Sequence, residues 1–365
     1  MSAAAIGSHT IESHIEAAPT DAAPIEHGGD LAAARLLFPG APEPFIDLST
    51  GINPYPYPIP RLAPDLFTRL PEQAAFDRLA SVAARAYGAP SADCVVPAPG
   101  TQILLPQVAG LVRPGRAAVL GPTYAEHIRA AARAGHRVEE VADLAGLRNV
   151  DLAVVVNPNN PDGRIIPREA LLACARGPSA PGLLVVDEAF MDVGPAGMSL
   201  AQDIGRHEDS GRLNIVVLRS FGKFFGLAGL RLGFALADPP TAARLRAGLG
   251  PWVVAGPAIA IGVAALSDQS WAETTRARLA QASRRLDQVL TGAGLEIAGG
   301  TSLFRLAHTK AAPELFHHLG REGILVRRFA ERAAWLRFGL PARAPDWQRL
   351  AAAMAAFDGS ARPRG

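Results

Sequence analysis

Six short apolar runs set the frame of this chain: Ala117–Leu120, Val138–Val141, Leu152–Val156, Leu183–Val186, Ile215–Leu218 and Leu232–Leu236. Most are separated by helical or loop-like stretches. Apolar runs of strand length that alternate with helices indicate a mainly parallel sheet covered on both faces. Arg78–Tyr87 reads as a helix that Gly88 can cap, and the α/β pattern continues from there to about Asp238. Beyond Gly250-Pro251-Trp252 the texture changes. Trp271–Leu290 reads as a long amphipathic helix, followed by strand candidates at Ser302–Leu306, Ile324–Arg327 and Ala334–Phe338 and a closing helix over Trp347–Phe357. These form a smaller α+β unit. Upstream stand a short helix, Leu31–Leu37, and the segment Asn53–Pro60, in which alternate residues are proline. Each proline fixes φ and lacks an amide donor, so this stretch is extended: an arm lying along another surface, or a plain linker. The expected organisation is a tail over residues 1–25, an arm over 26–70, a large domain over 71–255 and a small domain over 256–365.

Ligands of open α/β sheets bind outside the carboxyl ends of the strands, so the residues just beyond each run matter most. Gly121-Pro122-Thr123-Tyr124 follows the first, Asn157-Pro158-Asn159-Asn160-Pro161-Asp162-Gly163 the third, Asp187-Glu188-Ala189-Phe190 the fourth and Arg219-Ser220-Phe221-Gly222-Lys223 the fifth. Upstream, Pro99-Gly100-Thr101-Gln102 precedes a helix candidate, Ile103–Leu111, whose free amides can hold a phosphate. Each segment alone has a bland explanation: a turn, an N-cap, core packing. Together they put an aromatic face, a carboxylate, an amide, a lysine, an arginine and a phosphate cradle on one rim. Among 36 basic residues only Lys223 and Lys310 are lysines. Arginine stays charged and is a poor nucleophile, so amine chemistry on a carbonyl falls to one of these two, and only Lys223 has such a setting.

A formal charge of +2 implies neither nucleic acid nor an anionic membrane surface as partner. Cys94 and Cys174 are far apart, which suits free thiols in a reducing, cytoplasmic compartment and suggests no metal site. The first residues lack a basic start and an apolar core, so no signal peptide is expected, and the apolar stretch Ile261–Leu266 is too short to span a bilayer.

A lysine with an aspartate partner for a pyridinium nitrogen is the signature of a pyridoxal 5'-phosphate site. From His27 to its end the chain resembles the fold-type I pyridoxal-phosphate enzymes of the class I/II aminotransferase superfamily, through Asn157–Gly163, Asp187–Phe190, Ser220–Lys223 and Gly229-Leu230-Arg231-Leu232-Gly233. The resemblance implies that Lys223 holds the cofactor, Asp187 keeps its ring nitrogen protonated, Asn160 bonds its phenolic oxygen and Tyr124 stacks on its face. Ser220, Arg231 and the amides around Gly100, Thr101 and Gln102 would hold its phosphate. Arg337, in Trp335-Leu336-Arg337-Phe338-Gly339, matches the arginine that grips a substrate carboxylate. It also implies a homodimer, with the arm on the small domain and the partner subunit.

Two branches of the superfamily are similar to this chain. Histidinol-phosphate aminotransferases share the Asn-Asn-Pro run and a late pair of arginines. Threonine-phosphate decarboxylases of cobalamin biosynthesis add His27-Gly28-Gly29-Asp30, Asp47-Leu48-Ser49-Thr50-Gly51-Ile52-Asn53-Pro54, Asp187–Asp192 and Gly250–Trp252. The aminotransferase branch usually has tyrosine where Phe190 stands, which favours the decarboxylase. For the substrate phosphate His27, Asn53 and Arg327 are the expected partners. One departure is Arg69-Leu70-Pro71-Glu72, where relatives carry a tyrosine at the position of Leu70 that reaches the neighbouring subunit's cofactor phosphate. A regulator that keeps the fold without the chemistry is the non-enzymatic alternative.

Overall fold

The computed structural model describes residues 27–208 and 211–357; the tail expected over residues 1–25 lies outside them. Along the chain the arm supplies β1 (Ile46–Leu48). The larger half supplies β2 (Val95–Ala98), β3 (Arg116–Leu120), β4 (Arg137–Val141), β5 (Leu152–Val156), β6 (Leu183–Asp187), a two-residue ribbon of β7 (His207–Glu208) and β8 (Gly211–Arg212), β9 (Ile215–Ser220) and β10 (Gly233–Leu236). The smaller half supplies β11 (Glu296–Thr301), β12 (Phe304–His308), β13 (Ile324–Arg328) and β14 (Trp335–Gly339).

The large sheet has the order β2-β10-β9-β6-β5-β3-β4. Its strands from β9 to β4 pair in parallel. Successive strand side chains point to opposite faces, and both faces are filled. Leu152, Val154, Leu183, Val185, Val216 and Leu218 join one apolar cluster, while Ala153, Val155, Leu184, Val186 and Val217 join the other. This double burial is why β5, β6 and β9 read as unbroken apolar runs.

Two strands depart from the expected series. Between β9 and β10 there are only two short turns and no crossover helix, so β10 returns antiparallel to β9 and then pairs antiparallel with β2. β2 escapes the pattern because it carries Pro97, which an edge strand tolerates. At the opposite edge, β4 is charged: Arg137, Glu139 and Glu140 are exposed, which discourages further strand pairing.

The small sheet has the order β1-β13-β14-β12-β11, with β1 parallel to β13 and the remaining pairs antiparallel. The arm is thus the outer strand of the small sheet. The long helix Gln269–Gly292 buries Leu279, Leu286 and Leu290. The small domain is expected from residue 256, where the helix Gly256–Ser267 begins. Gly256–Ser267 packs on the helix Gln73–Tyr87 of the larger half: a Cβ on Gly262 would stand 3.1 Å from Leu79 Cδ1. β11 was not legible because it contains Gly299-Gly300 and a bulge after Ile297. Those glycines admit another backbone. A Cβ on Gly299 would lie 2.1 Å from the Asp162 carbonyl oxygen, and one on Gly163 would lie 2.1 Å from that of Gly300. The Asn157–Gly163 loop therefore seats directly on the small sheet.

Candidate active site

Lys223 leaves β9 three residues after Ser220, on the one-turn helix Phe221–Phe224. Phe221 and Phe224 are fully buried, so the turn is clamped while the lysine side chain faces the cleft. Its amine lies 5.8 Å from the centre of the Phe190 ring. Burial, then the Arg337 charge, lower its pKa from 10.5 to about 8, with Asp187 acting in the opposite sense and Arg231 in the same one. Lys310 is exposed in a turn. Lys223 alone has the desolvated setting that makes a lysine amine reactive.

Asp187 ends β6, beside Leu218 of β9. It is buried, and both its oxygens are engaged: Oδ2 stands 2.8 Å from His127 Nε2, and Oδ1 accepts from the Ala189 amide at 3.0 Å. His127 was missed in the sequence. It lies one helical turn past Tyr124 on the helix Glu126–Arg133, and that spacing was the available signal. The Tyr124 ring stands edge-on to it at 6.0 Å. Burial first, then Glu126 and Asp187, raise the Tyr124 pKa to about 12, so its hydroxyl remains a donor. That hydroxyl donates to Gln102 Oε1 at 3.1 Å, and Gln102 Nε2 donates to the buried Glu126 at 3.1 Å. The Gln102 side chain therefore braces Tyr124. His27 Nε2 approaches the same Glu126 at 3.3 Å, bringing the start of the arm to this rim.

A glycine-lined cradle forms where β2 and β10 meet. Gly100 has φ +87, and a Cβ there would lie 2.5 Å from Arg231 Nη2. Gly233, paired with both Ala98 and Ser220, has room for a Cβ only at 2.7 Å from the Thr101 amide nitrogen. These glycine-dependent approaches gather Gly100, Thr101, Ser220 and Arg231. Arg231 itself adopts φ +54, an uncommon conformation for a non-glycine residue and one found preferentially at functional sites.

On the opposite wall, Arg327 and Arg337 are cross-strand partners on β13 and β14. Arg337 is buried, and burial together with the neighbouring Arg327 charge lowers its pKa to about 10. Its Nη1 donates to Asn160 Oδ1 at 2.5 Å and its Nη2 to the Ser49 carbonyl at 2.8 Å, while its Nε has no partner. A buried N–H without a partner is expensive, but the buried Arg219 has an unpartnered Nε as well; what makes Arg337 a candidate is its place beside Asn160 and Arg327. Asn159 instead holds its own loop, donating to Pro122 and Asp162.

Asn53 departs from its expected role. Its side chain is buried, donates to the Phe224 carbonyl at 2.7 Å and accepts from the Tyr55 amide at 2.8 Å. Its own amide donates to the Lys223 carbonyl at 2.9 Å, and the Tyr57 amide donates to that of Phe225. The proline-rich arm is therefore laced to the lysine turn, and Asn53 orients that turn instead of presenting its amide to a substrate phosphate. Leu70 is exposed and lies away from these contacts.

Beneath the site lies an ion cluster that sequence reasoning did not find. Arg219 is buried and binds Glu188 Oε2 at 3.0 Å and Asp192 Oδ1 at 2.7 Å, under the Tyr87 ring. Its partners flank Asp187 and Phe190, so the cluster fixes the two strand ends that carry Asp187 and Lys223.

The convergence of a desolvated amine, a braced carboxylate, an aromatic face, a glycine-lined cradle with an arginine and a second, buried guanidinium fits pyridoxal phosphate and a carboxylate-bearing substrate. Comparison with known proteins agrees. Residues 65–354 match the family model described as aminotransferase class I and II. The chain is 43% identical over 337 residues to a threonine-phosphate decarboxylase of Pseudomonas aeruginosa, covering 91% of this chain and 98% of that protein. It is 42% identical over 341 residues to a threonine-phosphate decarboxylase of a Sinorhizobium species, with 92% and 99% covered. In structure it is similar to the L-threonine-O-3-phosphate decarboxylase of Porphyromonas gingivalis, with a TM-score of 0.68, 21% identity and 86% and 99% of the two chains covered.

Proposed function

The chain belongs to the aminotransferase class I and II family, and from that premise we propose that it is a pyridoxal-phosphate-dependent decarboxylase. It converts L-threonine O-3-phosphate to (R)-1-aminopropan-2-yl phosphate and carbon dioxide, a step of cobalamin biosynthesis. The observation that carries this reading is 43% identity sustained over 98% of a threonine-phosphate decarboxylase. Phe190 supports it against histidinol-phosphate transamination. No hydroxyl stands at that position, and its ring packs edge-on to Phe304 with centres 5.1 Å apart.

Pyridoxal phosphate, when bound, supplies an aldehyde for amine exchange and a ring that accepts the electron pair left on Cα as carbon dioxide departs. Lys223 would hold it, with Gly100, Thr101, the Gln102 amide, Ser220 and Arg231 around its phosphate. Tyr124 would lie on its face and Asn160 at its phenolic oxygen. Asp187, oriented by His127 and the Ala189 amide, would hold a proton at the ring nitrogen. Arg337 grips the substrate carboxylate with a planar fork. Arg327 and His27 reach toward the substrate phosphate from the small sheet and the arm. By holding the carboxylate from the small sheet, Arg337 would orient the Cα–carboxylate bond for cleavage. Lys223, its pKa lowered to about 8 and so still largely protonated at neutral pH, would be the group that delivers a proton to Cα.

The protein acts as a cytoplasmic homodimer. Ile59, Phe67, Leu70 and Trp252 are large, apolar and exposed, as an interface between copies would be. Among the described residues no helix is long and apolar enough to cross a membrane.

Two assays test the activity. Threonine phosphate is supplied and carbon dioxide measured; histidinol phosphate is supplied with 2-oxoglutarate and glutamate measured. Carbon dioxide release from the first is expected, and glutamate without carbon dioxide would overturn the assignment. A visible absorption band that disappears in Lys223→Ala separates an enzyme from a regulator that keeps only the fold.

A further inference from the structure

A second cavity of about 620 Å³ lies outside the site described above, between the arm and the long helix of the small half. Tyr55, Arg278, Arg284, Arg285, Gln288 and Trp347 are among its lining residues, together with Gln281 and Ala282. Positions 278, 281, 285 and 288 recur at helical spacing, so they form one face about 15 Å long. The lining contains three guanidinium groups, two carboxamides and no carboxylate. No ion pair neutralises Arg278, Arg284 or Arg285 among the described residues.

Two of these arginines are already ordered. Arg278 lies over the Tyr55 ring with Cζ 3.4 Å from its centre, and Arg285 lies over Trp347 at 4.5 Å. A guanidinium stacked on an aromatic ring keeps its N–H edge free, and its rotamer entropy is largely lost before any ligand arrives. Planar forks of fixed direction suit phosphate oxygens, which accept pairwise from arginine. The size is that of a small-molecule site, about 300–1,000 Å³. An acidic peptide presents carboxylates to the same forks, and the hexaglutamate arm of the test below separates the two.

We propose that this groove binds a small molecule carrying two or more linked phosphate groups. Arg278 and Arg285 grip its two ends, and Arg284 with Gln281 and Gln288 contact the oxygens between them. The site shares a wall with the arm. Tyr55 is two residues from Asn53, whose amide donates to the Lys223 carbonyl.

The test uses the cofactor-loaded protein and tripolyphosphate as probe, read by calorimetry and by Trp347 fluorescence. One molecule is expected per chain, bound more tightly than orthophosphate, and Trp347→Phe removes the fluorescence change. Arg278→Gln and Arg285→Gln should each weaken binding by about tenfold or more, as loss of a charge-assisted hydrogen bond does. Arg285→Lys keeps the charge without the fork and should fall between, which separates lost recognition from lost folding. Binding unchanged by these variants would place the probe elsewhere and overturn the proposal. So would absence of binding at millimolar probe, or a hexaglutamate peptide that binds as tightly as tripolyphosphate. None of these readouts depends on turnover of any substrate.

Discussion

Replacing Lys223 by methionine should stabilise the cofactor-free protein at neutral pH. The pKa of this amine falls from 10.5 in the open chain to about 8 in the folded one. Each unit corresponds to about 1.4 kcal/mol, so holding the charged amine in place costs the fold about 3 kcal/mol, or about 2 where the cleft admits solvent. Between pH 8 and 10.5 the unfolded chain keeps a proton that the folded chain has released, so stability rises with pH across that window. Below it the full penalty applies. Methionine matches the length of the stem and carries no charge. In urea titrations of the cofactor-free protein, Lys223→Met should therefore exceed wild type by about 2–3 kcal/mol at neutral pH. The difference should shrink as pH climbs through the window and vanish above it. A variant less stable than wild type, or a gap that ignores pH, would refute the claim that the amine is held against its solvation.

Other expectations concern neighbouring groups. Glu188→Gln leaves the buried Arg219 undercompensated and should lower unfolding free energy by about 3–5 kcal/mol in chemical denaturation. Gly100→Ala puts a Cβ on Arg231 at a positive φ, and absorbance titration should show cofactor affinity reduced by about tenfold or more with the fold intact. His127→Ala removes one brace from Asp187 and should lower kcat by about one to two orders of magnitude with a smaller change in KM. Asn53→Ala strands the Phe224 carbonyl and the Tyr55 amide; a stability loss of about 1–3 kcal/mol should accompany faster hydrogen exchange at the arm residues 53–57.

Sequence reached unequal depths in different parts of the molecule. β5, β6 and β9 were legible because burial on both faces demands unbroken apolar runs, and the polar residues just beyond them marked the rim. Strands that break this rule were not: β2 carries a proline, β11 a glycine pair, and the direction of β10 depends on a connection whose length permits either sense. Lys223, Asp187, Asn160 and Arg231 stood out as residue types that the proposed chemistry needs. His127, Glu126 and the Arg219 cluster did not, since what they do arises from partners distant in sequence, such as Asp187, 60 positions from His127. Asn53 was singled out for an expected substrate contact, whereas its short distances to the Phe224 and Lys223 carbonyls give it a positioning task, invisible until the arm is laid against that turn.

The contact between His27 and Glu126 has a practical side. It seats His27 against the helix Glu126–Arg133, which also carries His127. A label introduced at position 27 would therefore sit beside Glu126, which Gln102 also binds, and would report on the surroundings of Tyr124.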